Sequence, residues 1–214
     1  FLILGCEFCE RYAFYGLRAT LTLYCTYFLA FSESSATIIY HGFIVAAYIS
    51  PIIGAVLADG FYGKFKIILW LSLIYALGIV VQAVSAIPKI GNYEEGEFRT
   101  VNALLSLLGL FVISFGTGGI KPCVSSFGAD QFESGDTKNK DRFFNMFYWC
   151  INAGSVISTF VSPVLRRTTC GGLGTDTSCY FLSFLIPAIL MCLAIVFFLM
   201  GAKFYKKVPP SNSN

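Results

Sequence analysis

The sequence predicts an all-α membrane protein, a bundle of six transmembrane helices over residues 1–203 followed by a short exit segment, 204–214. Three observations carry this. Hydrophobic residues make up 56% of the chain and charged residues only 13%, whereas roughly a quarter of a soluble domain is charged. Mean hydropathy is +0.71. Apolar runs of about 20 residues, long enough to cross a bilayer, recur between polar breaks. The lipid bilayer is therefore the first partner implied. A net charge of +3, with the basic residues scattered, excludes a nucleic-acid partner.

The helices follow in order. The first runs from Phe1 to about Phe31 and stops before Ser32-Glu-Ser-Ser. The second spans about 37–57 and the third about 67–87. A polar loop from Lys89 to Arg99 leads to the fourth, about 101–127, which Gly116, Gly118, Gly119 and Pro122 are expected to interrupt. A charged loop, Asp130 to Asp141, precedes the fifth, about 143–164. The Cys170-to-Cys179 loop leads into the sixth, 180 to about 202. The chain opens on Phe1, already inside a helix, so its natural N-terminus is expected upstream.

Basic loop residues set a direction. Lys64, Lys66, Lys138, Lys140, Arg142, Lys203, Lys206 and Lys207 fall on one side, against Lys89, Arg99, Arg166 and Arg167 on the other. The richer side is expected in the cytoplasm, which places both ends of the chain there. Cys170 and Cys179 then share the last external loop, where an oxidising exterior permits a bridge and two free thiols remain the alternative. The other cysteines, Cys6, Cys9, Cys25, Cys123, Cys150 and Cys192, read as small buried hydrophobes.

The first helix is the informative one. Glu7, Glu10, Arg11, Tyr15 and Arg18 lie on one side of it at about 100° per residue. Charges inside a membrane helix are costly unless they pair or face water, and they commonly mark a transport path or proton relay. Arg11 reaches Glu7 one turn back and sits beside Glu10. A static ion-pair lock is the bland reading. In the sharper one, two carboxylates share a single arginine, which leaves one of them open to a cycling proton. One histidine and no G-x-S-x-G, P-loop or H-E-x-x-H pattern leave no nucleophile-and-base set, so no enzyme is expected.

Five blocks, in order, resemble one family. They are Glu7-x-x-Glu10-Arg11-x-x-x-Tyr15; Gly54-x-x-x-Ala58-Asp59-x-x-x-Gly63-Lys64; Gly119-Ile-Lys121-Pro-Cys; Phe127-Gly-Ala-Asp130-Gln131-Phe132; and Phe147-Tyr148-Trp-Cys-Ile-Asn152-Ala-Gly154-Ser155. The chain is similar to the proton-dependent oligopeptide transporters of the major facilitator superfamily, and in its Tyr-rich first helix and Tyr40-His41 pair to the animal di- and tripeptide transporters. The resemblance implies the N-terminal six-helix bundle of a twelve-helix plasma-membrane symporter, with 204–214 beginning the cytoplasmic link to a second half. Protons would drive it and no cofactor is implied.

Residue roles follow from the resemblance. Glu7, Glu10 and Arg11 would couple proton to substrate, with His41 as an external titrating group. Lys121 and Arg18 would meet the peptide's carboxylate, and Tyr15, Tyr48, Tyr148 and Asn152 would line its pocket. For Tyr48 and Tyr148 plain helix packing is an equal reading. Asp59, Gly63 and Lys64 fit a gate at the cytoplasmic end, where Asp130 and Arg142 are expected to pair in one state. Within the membrane, Arg11, Arg18 and Lys121 exceed Glu7 and Glu10 by one positive charge. A substrate carboxylate would neutralise it, and the partner of a peptide's amino group falls to the absent half. A nitrate or other small-anion or amino-acid symporter on the same fold is the runner-up; a six-helix channel lacks a ring-forming repeat.

Overall fold

A computed structural model describes residues 1–87, 95–133, 135–170 and 178–210. Six α-helices run through them: α1 Leu2–Leu23, α2 Glu33–Leu57, α3 Lys64–Ser85, α4 Glu95–Ala129, α5 Thr137–Arg166 and α6 Tyr180–Met200. Helices α1 and α2 each run on into a π-helical turn, Tyr24–Phe28 and Ala58–Tyr62. A helix bonds its own backbone groups internally, which lipid requires of any single-chain crossing other than a closed barrel. Among the described residues, α2 to α6 are each long and apolar enough to span a membrane. The exception is α1, whose 22 residues carry Glu7, Glu10, Arg11 and Arg18.

Packing resolves that exception. Helix α1 sits among α5, α6, α2 and α4, while α3 packs along α4 and α6. Glycine lets α5 come close: a Cβ on Gly154 would stand 2.9 Å from the Phe8 carbonyl oxygen and 3.3 Å from Arg11 Cβ. The charged stripe of α1 is thereby enclosed by neighbouring helices rather than by lipid.

Two expected boundaries are corrected. Helix α5 begins at Thr137, so the charged stretch through Asp141 is largely helical; Asp136 caps it, its carboxylate accepting from the Asn139 amide at 3.3 Å. Helix α4 is continuous through Gly116, Gly118, Gly119 and Pro122. Those glycines do not break it; they bring helices together. Gly119 lies against the backbone of Gly54 on α2, and a Cβ on Gly116 would stand 2.9 Å from Tyr75 Cα on α3. Pro122 withdraws one backbone donor and the helix carries on past it. Ser50 Oγ donates to the Ser114 carbonyl at 2.8 Å and ties α2 to α4 between the glycine contacts.

At the Lys64 end, Gly63 turns the chain from α2 into α3 with φ +82°, a conformation that a side chain would strain. Segment 205–210 does not leave the bundle as a free exit. The Tyr205 ring packs on Phe127 and Phe198 at 5.2 and 5.5 Å. Gln131 grips the Lys206 backbone with both ends of its amide: Nε2 donates to the carbonyl at 3.1 Å and Oε1 accepts the N–H at 2.9 Å. Lys207 Nζ lies 4.2 Å from the Phe65 ring centroid. The Lys89 and Glu94 stretch of the third loop and residues 171–177 lie outside the described residues.

Candidate functional site

Arg11 is the hub of the charged cluster on α1. Its Nε lies 3.0 Å from Glu7 Oε1, and Nη2 pairs with Glu10 Oε2. Arg11 Nε and Glu10 Oε2 make no aligned hydrogen bond, so these attractions are coulombic. Exposure is 5% for Glu7, 2% for Glu10 and 6% for Arg11. Taking three charges out of water is favourable only if they compensate one another closely. Across the bundle, Thr117 Oγ1 of α4 donates to Glu10 Oε1 at 2.8 Å, and the buried Tyr75 side chain of α3 faces the same group.

Lys121 follows Thr117 by one helical turn. It is half-buried, with Nζ 4.4 Å from the Phe14 ring centroid of α1 and 4.6 Å from that of Tyr48 of α2. Among the described residues no carboxylate pairs with it. A lysine head between two ring faces, with no carboxylate beside it, is open to an anion that arrives. Arg18 likewise has no carboxylate partner among the described residues. Its Nε donates to Tyr40 Oη at 2.5 Å, and its guanidinium lies 5.6 Å from the Tyr40 centroid. His41 is exposed next to them, its ring edge-on to Tyr40 at 5.2 Å.

The remaining pocket candidates are less gathered. Tyr15 is half-buried, edge-on to Phe14 at 5.4 Å. Tyr48 is exposed apart from its contact with Lys121. Tyr148 and Asn152 are exposed on α5, where Asn152 Nδ2 donates to the Tyr148 carbonyl at 2.8 Å. No hydrogen bond, ion pair or ring contact joins those two to the α1–α4 group among the described residues.

At the Lys64 end, Lys64 Nζ donates to Asp130 Oδ2 at 2.6 Å. The expected Asp130–Arg142 pair is therefore not formed in this structure. Helix α3 lies along α4, so its first residue meets the end of α4, while Arg142 is exposed on the second turn of α5. Asp59 is also exposed. At the opposite end Cys170 and Cys179 are joined as a disulfide with Cα atoms 5.7 Å apart, and Cys179 Sγ accepts from the Leu182 amide at 3.3 Å as the cap of α6. Of the remaining cysteines Cys6, Cys9, Cys25 and Cys123 are buried, but Cys192 is exposed and Cys150 half-buried, because α5 and α6 keep one face uncovered. No group of His, Cys, Asp and Glu with the makings of a metal site occurs among the described residues.

Three side chains join the site without having been singled out as site residues: Thr117, Tyr75 and Tyr40. Thr117 stands four residues before Lys121, on the same face of α4. That spacing was the available signal.

The POT family profile (PTR2) matches residues 65–214. Solute carrier family 15 member 1 of Homo sapiens is 45% identical over 216 residues, covering 100% of this chain and 30% of that protein. Solute carrier family 15 member 2 of Mus musculus is 49% identical over 208 residues, covering 97% of this chain and 27% of that protein. An auto-inhibited POT family peptide transporter superposes with a TM-score of 0.82 at 33% identity, and the POT family transporter PepTSo with 0.79 at 36%; each comparison covers 100% of this chain and 39% of the other. The chain thus spans less than a third of the length of these curated relatives. In sequence blocks, helix order and backbone superposition alike, this multi-pass membrane chain belongs to the POT family of transporters.

Proposed function

We propose that this chain is the first six-helix half of a plasma-membrane symporter that moves di- and tripeptides inward together with protons. One observation carries the reading: Lys121 and Arg18 have no carboxylate partner among the described residues, Lys121 one turn along α4 from the Thr117 that bonds Glu10 and Arg18 about two turns along α1 from the buried Glu7–Arg11–Glu10 cluster. Three cations against two carboxylates leave one positive charge to be met by the C-terminal carboxylate of a peptide. Both acidic groups are already engaged with Arg11, which supports placing the partner of the peptide's amino group on a second half. Residues 204–214 then begin the link to that half. The Lys64 end is the cytoplasmic one, and both ends of the chain lie on that side.

The mechanism follows from charge. With both glutamates ionised, Arg11 divides its attraction between two anions in a poorly solvated place. Proton binding to one carboxylate leaves a balanced Glu–Arg pair and relieves that competition. The cluster and Lys121 share one electrostatic field, so the proton on a glutamate and the carboxylate at Lys121 are felt by one another. Tyr15, Tyr48, Tyr148 and Asn152 line the peptide's path, and His41 lies at the outer mouth. Lys64–Asp130, with Asp59, Gly63 and Arg142, forms the inner gate, and Asp130 changes partner from Lys64 to Arg142 as it opens.

The test uses the complete transporter in proteoliposomes. Lys121→Gln keeps reach and loses charge, so affinity for dialanine should fall about tenfold to a hundredfold, the range of a hydrogen bond to a charged group. Affinity for the C-terminally amidated peptide should change far less. Equal losses for acid and amide would show that Lys121 does not read the carboxylate. Strong competition by nitrate, with dialanine a poor substrate, would move the reading to a small-anion symporter on the same fold.

A further inference from the structure

The segment that follows α6 is fastened at three places, all beside residues of the proposed inner gate. Gln131, the neighbour of Asp130 at the end of α4, holds the first. Its Nε2 donates to the Phe127 carbonyl at 3.0 Å and to the Lys206 carbonyl at 3.1 Å, while Oε1 accepts the Lys206 N–H at 2.9 Å. The second is a cup of rings, in which Tyr205 lies 5.2 Å from Phe127, 5.5 Å from Phe198 and 6.5 Å from Phe65. Gly201 keeps that cup open: its backbone is ordinary right-handed helix at φ −78°, but a Cβ there would overlap the Tyr205 ring. At the third place the chain passes Gly63, where a Cβ would stand 3.8 Å from both the Val208 carbonyl oxygen and Pro210 Cδ. Val208, Pro209 and Pro210 there close one side of a cavity of about 230 Å³ whose other walls are Ala58, Asp59 and Lys64.

The Lys64–Asp130 pair joins the first residue of α3 to the residue that follows α4. Residues 205–210 join the same two helix ends by other means. They are bonded to the end of α4 through Gln131 and stacked on the start of α3 through Phe65, where Lys207 Nζ lies 4.2 Å from the ring centroid. We propose that this segment is a strap that holds the inner gate in its Lys64–Asp130 state and has to lift for Asp130 to reach Arg142. Two ties across one pair of helix ends reinforce each other, because either tie orders the ends that the other needs. The coupling is reciprocal: whatever factor the ion pair adds to seating of the strap, the strap adds to the ion pair. Two consecutive prolines stiffen its far end, so a pull applied beyond them is transmitted rather than absorbed. The strap rests on the reading of Lys64, Asp130 and Arg142 as the gate of a symporter. It adds to that reading a means by which a link to a second half acts on the gate.

The test reads the cavity beneath the strap. In the complete transporter, Ala58→Cys places a thiol on its wall, and reaction with a membrane-impermeant maleimide is timed from the cytoplasmic side without substrate. The same protein lacking Ala58→Cys supplies the background. Gln131→Leu removes the hydrogen bonds to Lys206, and Gly201→Ala evicts the Tyr205 ring without altering any strap residue. Each should speed labelling about tenfold, the scale of one or two lost hydrogen bonds. Asp130→Asn breaks the ion pair and leaves the contacts of the strap in place, yet it should speed labelling as well. Arg142→Gln removes the partner of the lifted state and should slow it. Unchanged labelling in Gln131→Leu and Gly201→Ala would show that the strap does not cover the cavity. Acceleration by those two without acceleration by Asp130→Asn, or without slowing by Arg142→Gln, would show a cover uncoupled from the gate. Either result overturns the proposal. Should Gln131→Leu fail to assemble, Gly201→Ala decides. None of these readouts uses transport, so their failure leaves the symport reading standing on the Lys121→Gln comparison of acid and amidated peptides.

Discussion

Glu7 and Glu10 differ in company although they share one arginine. Among the described residues Glu7 pairs with Arg11, whereas Glu10 has Arg11 and Thr117. Replacing either by Gln fixes that position in a neutral form and removes one seat for a cycling proton. Both variants should lose dialanine accumulation driven by an inward proton gradient, while counterflow, which needs no net proton movement, survives. Acid-stimulated accumulation at wild-type level in both would reject the coupling role. The i, i+3, i+4 spacing made this cluster legible, because residues one turn apart on a helix must be neighbours. Thr117 was hidden for the opposite reason: it lies 107 residues away in sequence and reaches Glu10 only through tertiary packing. Tyr40 was named only for standing next to His41, yet it is the side chain that holds Arg18.

Elements were legible where composition alone decides them. A bilayer-length apolar run has little choice but helix, so all six helices and their order follow from the sequence. Ends outside the membrane follow capping chemistry instead, which is why Thr137–Arg142 reads as a loop by polarity and is helix behind Asp136. The glycines of α4 invite the same error. Gly116, Gly118 and Gly119 resemble a breaker cluster, but each is a place where another helix approaches: Tyr75 of α3, Ser50 of α2 and Leu71 of α3 respectively. Gly54 makes this testable, because a methyl there would overlap the Gly119 backbone, which cannot swing aside as a side chain does. Gly54→Ala should destabilise the bundle by about 1–3 kcal/mol, typical of overpacking, and lower its unfolding temperature in detergent. Gly42→Ala, on the same helix with nothing within 4 Å of the added carbon, should leave it unchanged or slightly raised. Equal effects from both would show that the α2–α4 contact is not close-packed.

At the scale of the whole molecule, the half-transporter reading has to be judged by what the bundle covers and what it leaves bare. From the sequence, the first and fourth helices, with Glu7, Glu10, Arg11, Arg18 and Lys121, are expected to face an open side awaiting a second half, which would make the chain alone in lipid unstable or self-associating. The structure overturns the exposure part of that argument: Glu7, Glu10 and Arg11 are enclosed within the six helices, and Arg18 is half-buried against Tyr40. The charged cluster is thus enclosed within this chain. What stays bare is the side proposed for substrate: Tyr48, Tyr148 and Asn152 are exposed, and Lys121 is half-buried against two rings. On the proposed reading, a bundle whose proton-coupling residues are enclosed but whose substrate wall is open cannot alternate access, because rocking needs a second half to close against. Meanwhile Gln131 and the Tyr205 ring fix the direction in which the chain leaves α6, so a linker to that half would start from a defined point. Residues 1–214 alone in proteoliposomes should therefore stay helical and monodisperse, yet show no dialanine uptake under a proton gradient. Uptake should return when a matching six-helix second half is co-expressed. Gradient-driven uptake by residues 1–214 alone would sink the half-transporter reading, and aggregation of the lone bundle would show that the buried cluster does not hold without its partner.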